Sequence, residues 1–216
     1  IDLQYLFISD WYFVSGQKID LDEVRYRNLS KIRGTVPTSI LGSDYGRNNQ
    51  TIKEAFFRMI TSAREEVLIT TPYFVPDDSI LNALKITAKS GVKVTLLLPE
   101  KPDSRTAYYA SQTYFKDLLK SGVEINYYTR GMMHSKTMII DEAISTVGST
   151  NMDQRSFNLN AEVNAFMLSK KIAQDLKTNF MNDLKDSYPL TLEMLRRRKW
   201  YVKVICSIAR LLAPIL

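Results

Sequence analysis

The chain is poor in the two residues that most often carry metal and redox chemistry. Its 216 residues include one cysteine, Cys206, and one histidine, His134. A single thiol excludes an internal disulfide and a cysteine-built metal site, and it fits a reducing compartment. No apolar run approaches the ~20 residues that a membrane-spanning helix needs. Compositional bias is missing as well. With 45% hydrophobic and 24% charged residues, the disordered, collagenous and repeat-array classes are excluded. What remains is one globular domain of generous size, or one domain with a piece of another. The chain opens at Ile1 inside an amphipathic helical pattern, so it is expected to be part of something longer.

Charge is distributed unevenly. From Ser187 to Leu216 the cations Arg196, Arg197, Arg198, Lys199, Lys203 and Arg210 stand against Glu193 alone, a balance of +5. The net charge is +6, so the first 186 residues carry +1 (6 − 5). A chain that grips nucleic acid carries positive charge on the body or groove that meets the phosphates. Here the body is nearly neutral, which argues against a nucleic-acid partner. The tail joins its basic cluster to an apolar end, with Trp200 and Tyr201 at the junction. From Val204 onward 13 residues remain, interrupted by Arg210, too few to span a bilayer. Such a segment suits an interfacial helix in which Arg196, Arg197, Arg198, Lys199 and Trp200 meet anionic headgroups. It suits equally a terminal helix packed on its own domain with the basic residues solvated.

Residues 67–71, 92–98, 123–128, 137–141, 144–148 and 163–168 read as strands, being short, rich in β-branched residues and bounded by Gly, Pro or Asp. Ile52, Phe56, Met59, Ile60 and Ala63 mark a buried helix face. Asp77 or Asp78 can cap a helix near 79–89 that Gly91 stops, and Pro102-Asp103-Ser104 introduces another over 104–120 that Gly122 closes. Strands alternating with helices predict an α/β fold, a mixed, mainly parallel sheet flanked by helices, with a hairpin at 141–144. Residues 14–49 read as a polar linker, with an edge strand within Lys31 to Ile40 and a loop from Leu41 to Gln50. Asp2-Leu3, Phe7 and Asp10 match Asp175-Leu176, Phe180 and Asp183 at a constant offset of 173, a short repeat between two helices.

The segment MHSKTMIIDEAISTVGSTNMDQRSFNLNAEVN, from Met133, holds the chemistry. His134 and Lys136 are two apart, so on a strand both side chains leave one face. Ser149 and Asn151 are also two apart, just past the neighbouring strand, and Glu162 lies two before Asn164. Three adjacent segments thereby present an imidazole, an ammonium, a hydroxyl, an amide and a carboxylate to one point. That set suits a phosphodiester, with cationic and polar donors for its non-bridging oxygens and an imidazole for the chemistry. Asp141 is seven residues from His134, an odd number, so its side chain is expected to face away as a buried, hydrogen-bonded structural group. Tyr73 and Phe74, just past a strand end where α/β sheets bind ligands, line a headgroup pocket or belong to the core.

His134-x-Lys136-x4-Asp141, followed by Gly148-Ser149-x-Asn151 and Glu162, resembles the signature of the phospholipase D superfamily. TPYFVPD at 71–77, GVKVTLLLP at 91–99, GSTNMDQRSFNLNAEVN at 148–164 and the basic-apolar C-terminus are similar to bacterial cardiolipin synthases, while the loop LGSDYGRNN after Ile40 departs from their pattern. The resemblance implies a phospholipase D-like lobe in a bilobal enzyme where two such motifs meet. One His attacks phosphorus to form a phosphohistidine; the other protonates the departing alcohol and activates the acceptor. His134 takes the acid/base position, Glu162 orients it, Lys136, Ser149 and Asn151 hold the phosphate, and neither metal nor cofactor is needed. Asp141 enters the catalytic set only as a motif member.

On this reading residues 1–13 are the terminal helix of a truncated first lobe, 14–49 the inter-lobe linker, 50–187 the second lobe and 188–216 a basic amphipathic C-terminal segment. The first-lobe counterpart of His134 would fall at −39, outside the chain, leaving half an active site. The implied reaction makes cardiolipin and glycerol from two phosphatidylglycerol molecules. The implied partners are anionic phospholipid, the membrane surface and the first lobe; the implied place is the cytoplasmic face of a bacterial cell membrane. Hydrolytic phospholipase D and a homodimeric nuclease of the same superfamily are the alternatives.

Overall fold

A computed structural model describes residues 2–19, 34–43 and 50–215. In chain order the elements are α1 (Asp2–Ser15), β1 (Thr38–Ser43), α2 (Thr51–Ser62), β2 (Glu66–Thr70), β3 (Phe74–Val75), α3 (Asp78–Lys89), β4 (Lys93–Pro99), α4 (Arg105–Lys120) and β5 (Glu124–Tyr128). Then follow β6 (Thr137–Ile140), β7 (Ile144–Gly148), β8 (Met152–Asp153), α5 (Gln154–Asn158), β9 (Glu162–Leu168), α6 (Lys170–Lys185), β10 (Ser187–Pro189), α7 (Leu192–Arg196) and α8 (Trp200–Leu211).

Eight strands form one sheet in the order β1-β9-β7-β6-β2-β4-β5-β10. Alternate side chains reach opposite faces. Val67, Ile69, Leu96, Ile125, Met138 and Ile140 pack with α2, α3 and α4 on one side. Leu68, Leu97 and Ile139 pack with Ala173 and Phe180 of α6 on the other. Being covered on both faces is why β2 and β4 read as continuous apolar runs. The sheet is mixed, as expected, but parallel pairing is confined to β2, β4 and β5. Antiparallel pairs outnumber it: the short link between β6 and β7 makes a hairpin, and β9, β1 and β10 also join their neighbours antiparallel.

Local signals fix the helix ends. Asp77, not Asp78, caps α3, accepting from the Ile80 N–H at 3.0 Å, and Ser104 caps α4. Gly91 and Gly122 each take φ +93°, which ends both helices at little steric cost. The edge strand β1 begins later and ends later than expected. Leu41, Gly42 and Ser43, read as loop, pair with β9 instead. A side chain at Gly42 would overlap Leu6 of α1, so the glycine there serves close packing. The rest of the loop, 44–49, and the expected strand's start at 31–33 lie outside the described residues.

The link between β6 and β7 is a strained turn. Asp141 (φ 50°) and Glu142 (φ 48°) both occupy the left-handed region, the geometry whose twist suits a tight hairpin. Two anchors hold it. The Asp141 carboxylate accepts from the backbone N–H groups of Arg64, Glu65 and Glu66 at 2.9, 2.8 and 2.8 Å. Lys177 of α6 reaches Glu142 at 2.6 Å and Glu66 at 2.5 Å. Both contacts raise the Lys177 ammonium above its ordinary pKa, the Glu142 hydrogen bond most. Asp141→Ala removes the acceptor while leaving the left-handed backbone, a loss of about 2–3 kcal/mol. Differential scanning calorimetry should show the midpoint falling by roughly 5–10 °C.

Candidate active site

The ladder through β6, β7 and β9 collects the reactive groups at one end of the sheet. Thr137 pairs with Val147, and Gly148 with Asn164. Beyond the regular strands, the Gly148 N–H donates to the Lys136 carbonyl (3.3 Å) and the Ser149 N–H to the Val163 carbonyl (2.9 Å). Thr70, at the carboxyl end of parallel strand β2, pairs with Thr137, which brings the 71–73 turn to the same place. This is the end of an open α/β sheet where ligands bind.

His134 and Lys136 precede β6 instead of lying within it, yet their side chains meet. Met133 is buried in the cluster under α6, which turns His134 outward, where it is exposed. Lys136 Nζ lies 3.0 Å from His134 Nδ1, 3.3 Å from Nε2 and 2.8 Å from the His134 carbonyl. Burial lowers the Lys136 ammonium from its ordinary pKa, against the opposing pull of Glu162, Asp153 and Asp103.

Behind this pair Ser149 Oγ donates to Glu162 Oε2 and accepts from the Val163 N–H at 3.0 Å. Asn160 Nδ2 donates to Glu162 Oε1 at 2.9 Å. Both Glu162 oxygens are thus occupied by neutral donors, and the carboxylate reaches the site through Ser149 and the field at Lys136. Asn151 Nδ2 donates to Ser156 Oγ at 3.2 Å, while its Oδ1 is buried with no partner among the described residues. An amide turned about its last bond exchanges these ends, so Asn151 offers either a donor or an acceptor there. Asn164, read as a neighbour of Glu162, is buried and holds the loop instead. Its Oδ1 accepts from the Thr150 N–H (3.2 Å) and its Nδ2 donates to Thr146 Oγ1 (3.1 Å).

Two residues of the expected set lie elsewhere. Asp141 is half-buried at the opposite end of β6, engaged in the turn described above, so its place in the motif is that of an anchor. Phe74 is 1% exposed and packs against Tyr114 and Phe115. It belongs to the core and cannot line a headgroup pocket, because its strand β3 runs beneath α4. Tyr73 does approach the site, its ring edge-on to His134 at 6.4 Å between centroids. Its hydroxyl donates to Asp103 Oδ1 at 2.5 Å, and burial, then this hydrogen bond, pushes the phenol up to about 12. Asp103 and Asp153 were missed as site neighbours. Asp103 reads as a helix-introducing turn residue, and its carboxyl is held below the usual range chiefly by Tyr73. Asp153 is 4% exposed, caps α5 through the Ser156 N–H, and is raised by burial.

The basic tail is not uniformly solvated. Arg198 turns inward to Gln112 Oε1, and Arg197 pairs with Glu193 at 2.6 Å. Arg196, Lys199 and Trp200 are exposed.

Residues 56–184 match the family described as "Cardiolipin synthase, PLD-like domain". The chain belongs to that family. It is 40% identical over 214 residues to the cardiolipin synthase of Geobacillus sp. (strain WCH70), a match covering 99% of this chain and 43% of the relative. The chain thus spans less than half the length of such curated cardiolipin synthases. Among solved structures it resembles the phosphatidylserine synthase of Haemophilus influenzae Rd KW20, with a TM-score of 0.67 at 14% identity, over 86% of this chain and 49% of that one. It also resembles Nuc, a phospholipase D family member from Salmonella typhimurium, with a TM-score of 0.61 at 18% identity, over 71% of this chain and 99% of that one. At these identities the two structures establish the phospholipase D-like fold of this cardiolipin synthase-family domain.

The Gly148-Ser149 step has a packing cause as well as a family one. A Cβ on Gly148 would overlap the Asn164 side chain and the Val163 carbonyl. Gly148→Ala in this domain should therefore cost about 1–3 kcal/mol. It should also displace Ser149 from Glu162, read as a lower midpoint in thermal unfolding together with changed amide shifts for 149–151 and 162–164.

Proposed function

We propose that the chain supplies one half of the active site of a phosphatidyl transferase that makes cardiolipin and glycerol from two phosphatidylglycerol molecules. The observation that carries this reading is the exposed His134 imidazole with the Lys136 ammonium 3.0 Å away and the Ser149–Glu162 pair behind it. A histidine of the first lobe attacks phosphorus, the P–N bond forms, and the P–O bond to glycerol breaks as His134 protonates the departing oxygen. The hydroxyl of a second phosphatidylglycerol then gives its proton to His134 and attacks phosphorus, breaking the P–N bond. Lys136 and Asn151 hold the non-bridging oxygens and offset their charge. Glu162 keeps Ser149 in place and stabilises the cationic site from behind.

The first lobe enters through α1. Phe7 holds the place of Phe180 in the 173-residue repeat, yet Phe7 is 59% exposed where Phe180 is 3% exposed. On this reading α1 is the last helix of that lobe, whose sheet covers Phe7 as this sheet covers Phe180, and the connection expected over 14–49 narrows to the residues between α1 and β1, since β1 belongs to this lobe's sheet. The membrane enters through α8. Val204, Ile208 and Leu211 form an exposed apolar stripe at helical spacing, with Trp200 76% exposed at one end. Among the described residues no helix is long and apolar enough to cross a membrane. The stripe instead suits an interfacial helix lying on the cytoplasmic face of the cell membrane, beside its lipid substrate.

The test supplies the chain with its first-lobe half in phosphatidylglycerol vesicles and identifies the lipids formed. Cardiolipin with released glycerol is expected, indifferent to chelator, absent when either half is omitted, and about 100-fold slower or worse in Lys136→Met. Phosphatidic acid as the product would make the enzyme a hydrolase and remove the lipid acceptor from the scheme.

A further inference from the structure

A second site lies away from the His134 end of the sheet and shares no residue with it. Between α4, α7 and α8 runs a groove of about 660 Å³, of a size that takes a small ligand. Six cations line it: Lys116 and Lys120 from α4, and Arg196, Arg198, Lys203 and Arg210 from the C-terminal helices. No carboxylate lines it, and the one acid of α7, Glu193, is engaged by Arg197 outside it. Among the described residues none of the six has an acidic partner. Six like charges gathered without counter-charge repel one another, so the groove favours an anion.

Two of the cations are held in advance. Arg198 is fixed by Gln112, a buried amide that itself donates to the Tyr127 hydroxyl at 2.8 Å. Arg210 stacks on the buried Tyr114 ring, 4.9 Å from its centroid. A guanidinium positioned before binding loses little freedom when it meets a phosphate.

The walls say what kind of anion enters. Leu195, Cys206 and Leu211 supply apolar surface between the charges. Over the shoulder of α8 the groove meets a shallower hollow of about 420 Å³, which shares Lys203, Ser207 and Leu211 with it and adds Val204 and Ile208. An inorganic anion has no use for that apolar continuation; an acyl chain does. We propose that this groove binds the phosphodiester headgroup of an anionic phospholipid, with an acyl chain leaving along Leu211 and Ile208 towards the bilayer. It is a binding site for lipid that is not undergoing reaction, and it draws on α4 as well as the basic tail.

The full-length protein can be tested in phosphatidylcholine vesicles holding a minor fraction of phosphatidylglycerol with a photoactivatable diazirine in one acyl chain. After irradiation, peptide mass spectrometry maps the label. Label is expected on peptides of α4 and α8 that face the groove. Lys116→Gln with Lys120→Gln should reduce it about tenfold, and Lys170→Gln with Lys171→Gln, the same charge change on α6 across the sheet, by less than about twofold. All four lysines are exposed, and Gln is nearly as good a helix former as Lys, so both variants keep the fold. The proposal is overturned if the groove pair labels like the wild type, if both pairs lose label equally, or if a phosphatidylcholine probe labels the groove as well. Displacement of the probe by excess inorganic phosphate would likewise overturn it, by making the groove a plain anion site.

Discussion

The antiparallel register of β6, β7 and β9 decides where every reactive group lies. A slip of one residue would send His134 and Lys136 to the opposite face from Ser149, since side chains alternate along each strand. The β6–β7 part of that register is set at the far end of the sheet, by the left-handed turn at Asp141 and Glu142. Three backbone N–H groups on Asp141 and the Lys177 bridge to Glu142 and Glu66 hold the turn against its strain. The aspartate of the motif therefore acts on the site through the length of β6. Burial on both sheet faces transmits the constraint, because β6 has a packed core on either side and cannot shift alone.

At the site itself the chemistry follows from a conflict between burial and charge. Lys136 is partly desolvated, which lowers its pKa, and three carboxylates around it oppose that. Glu162 is nearly buried and retains its place through Ser149 and Asn160. The site is thus supplied with counter-charge from behind and left open in front, where a phosphodiester would add its own negative charge. Tyr73 and Asp103 form a second wall beside the imidazole, joined by a 2.5 Å hydrogen bond.

Much of this was legible in the sequence because it depends on period and spacing. Strands β2, β4, β5, β6, β7 and β9, a cap at Asp77 or Asp78, the helix start around Asp103-Ser104, and the pairing of His134 with Lys136 are local properties of the chain. The structural, hydrogen-bonded place of Asp141 is expected from an odd separation along one strand, but its cause is different: β6 spans only Thr137–Ile140, and Asp141 lies beyond it in the turn. What could not be read is which partner a side chain chooses once several are in reach. Glu162 goes to Ser149 and Asn160. Phe74 faces the core, since a two-residue strand has no periodicity to show its inner side. Arg198 leaves the basic cluster for Gln112, a residue distant in sequence that only the packing of α8 on α4 brings near. The same packing resolves the double reading of the tail. Cys206 and Ala209 are buried on the side that packs on α4, while Val204, Ile208 and Leu211 remain outside, so the helix both packs on its domain and presents an apolar stripe.

The central claim is that His134 carries the proton transfer, and the most direct measurement is chemical rescue. Phosphatidylglycerol turnover would be followed in the full-length protein carrying His134→Gly, with and without added imidazole. The account predicts that turnover is lost and is partly restored in proportion to imidazole, because the free ring takes the vacated position between Lys136 and the substrate. Turnover near that of the unaltered protein in His134→Gly without imidazole would contradict it.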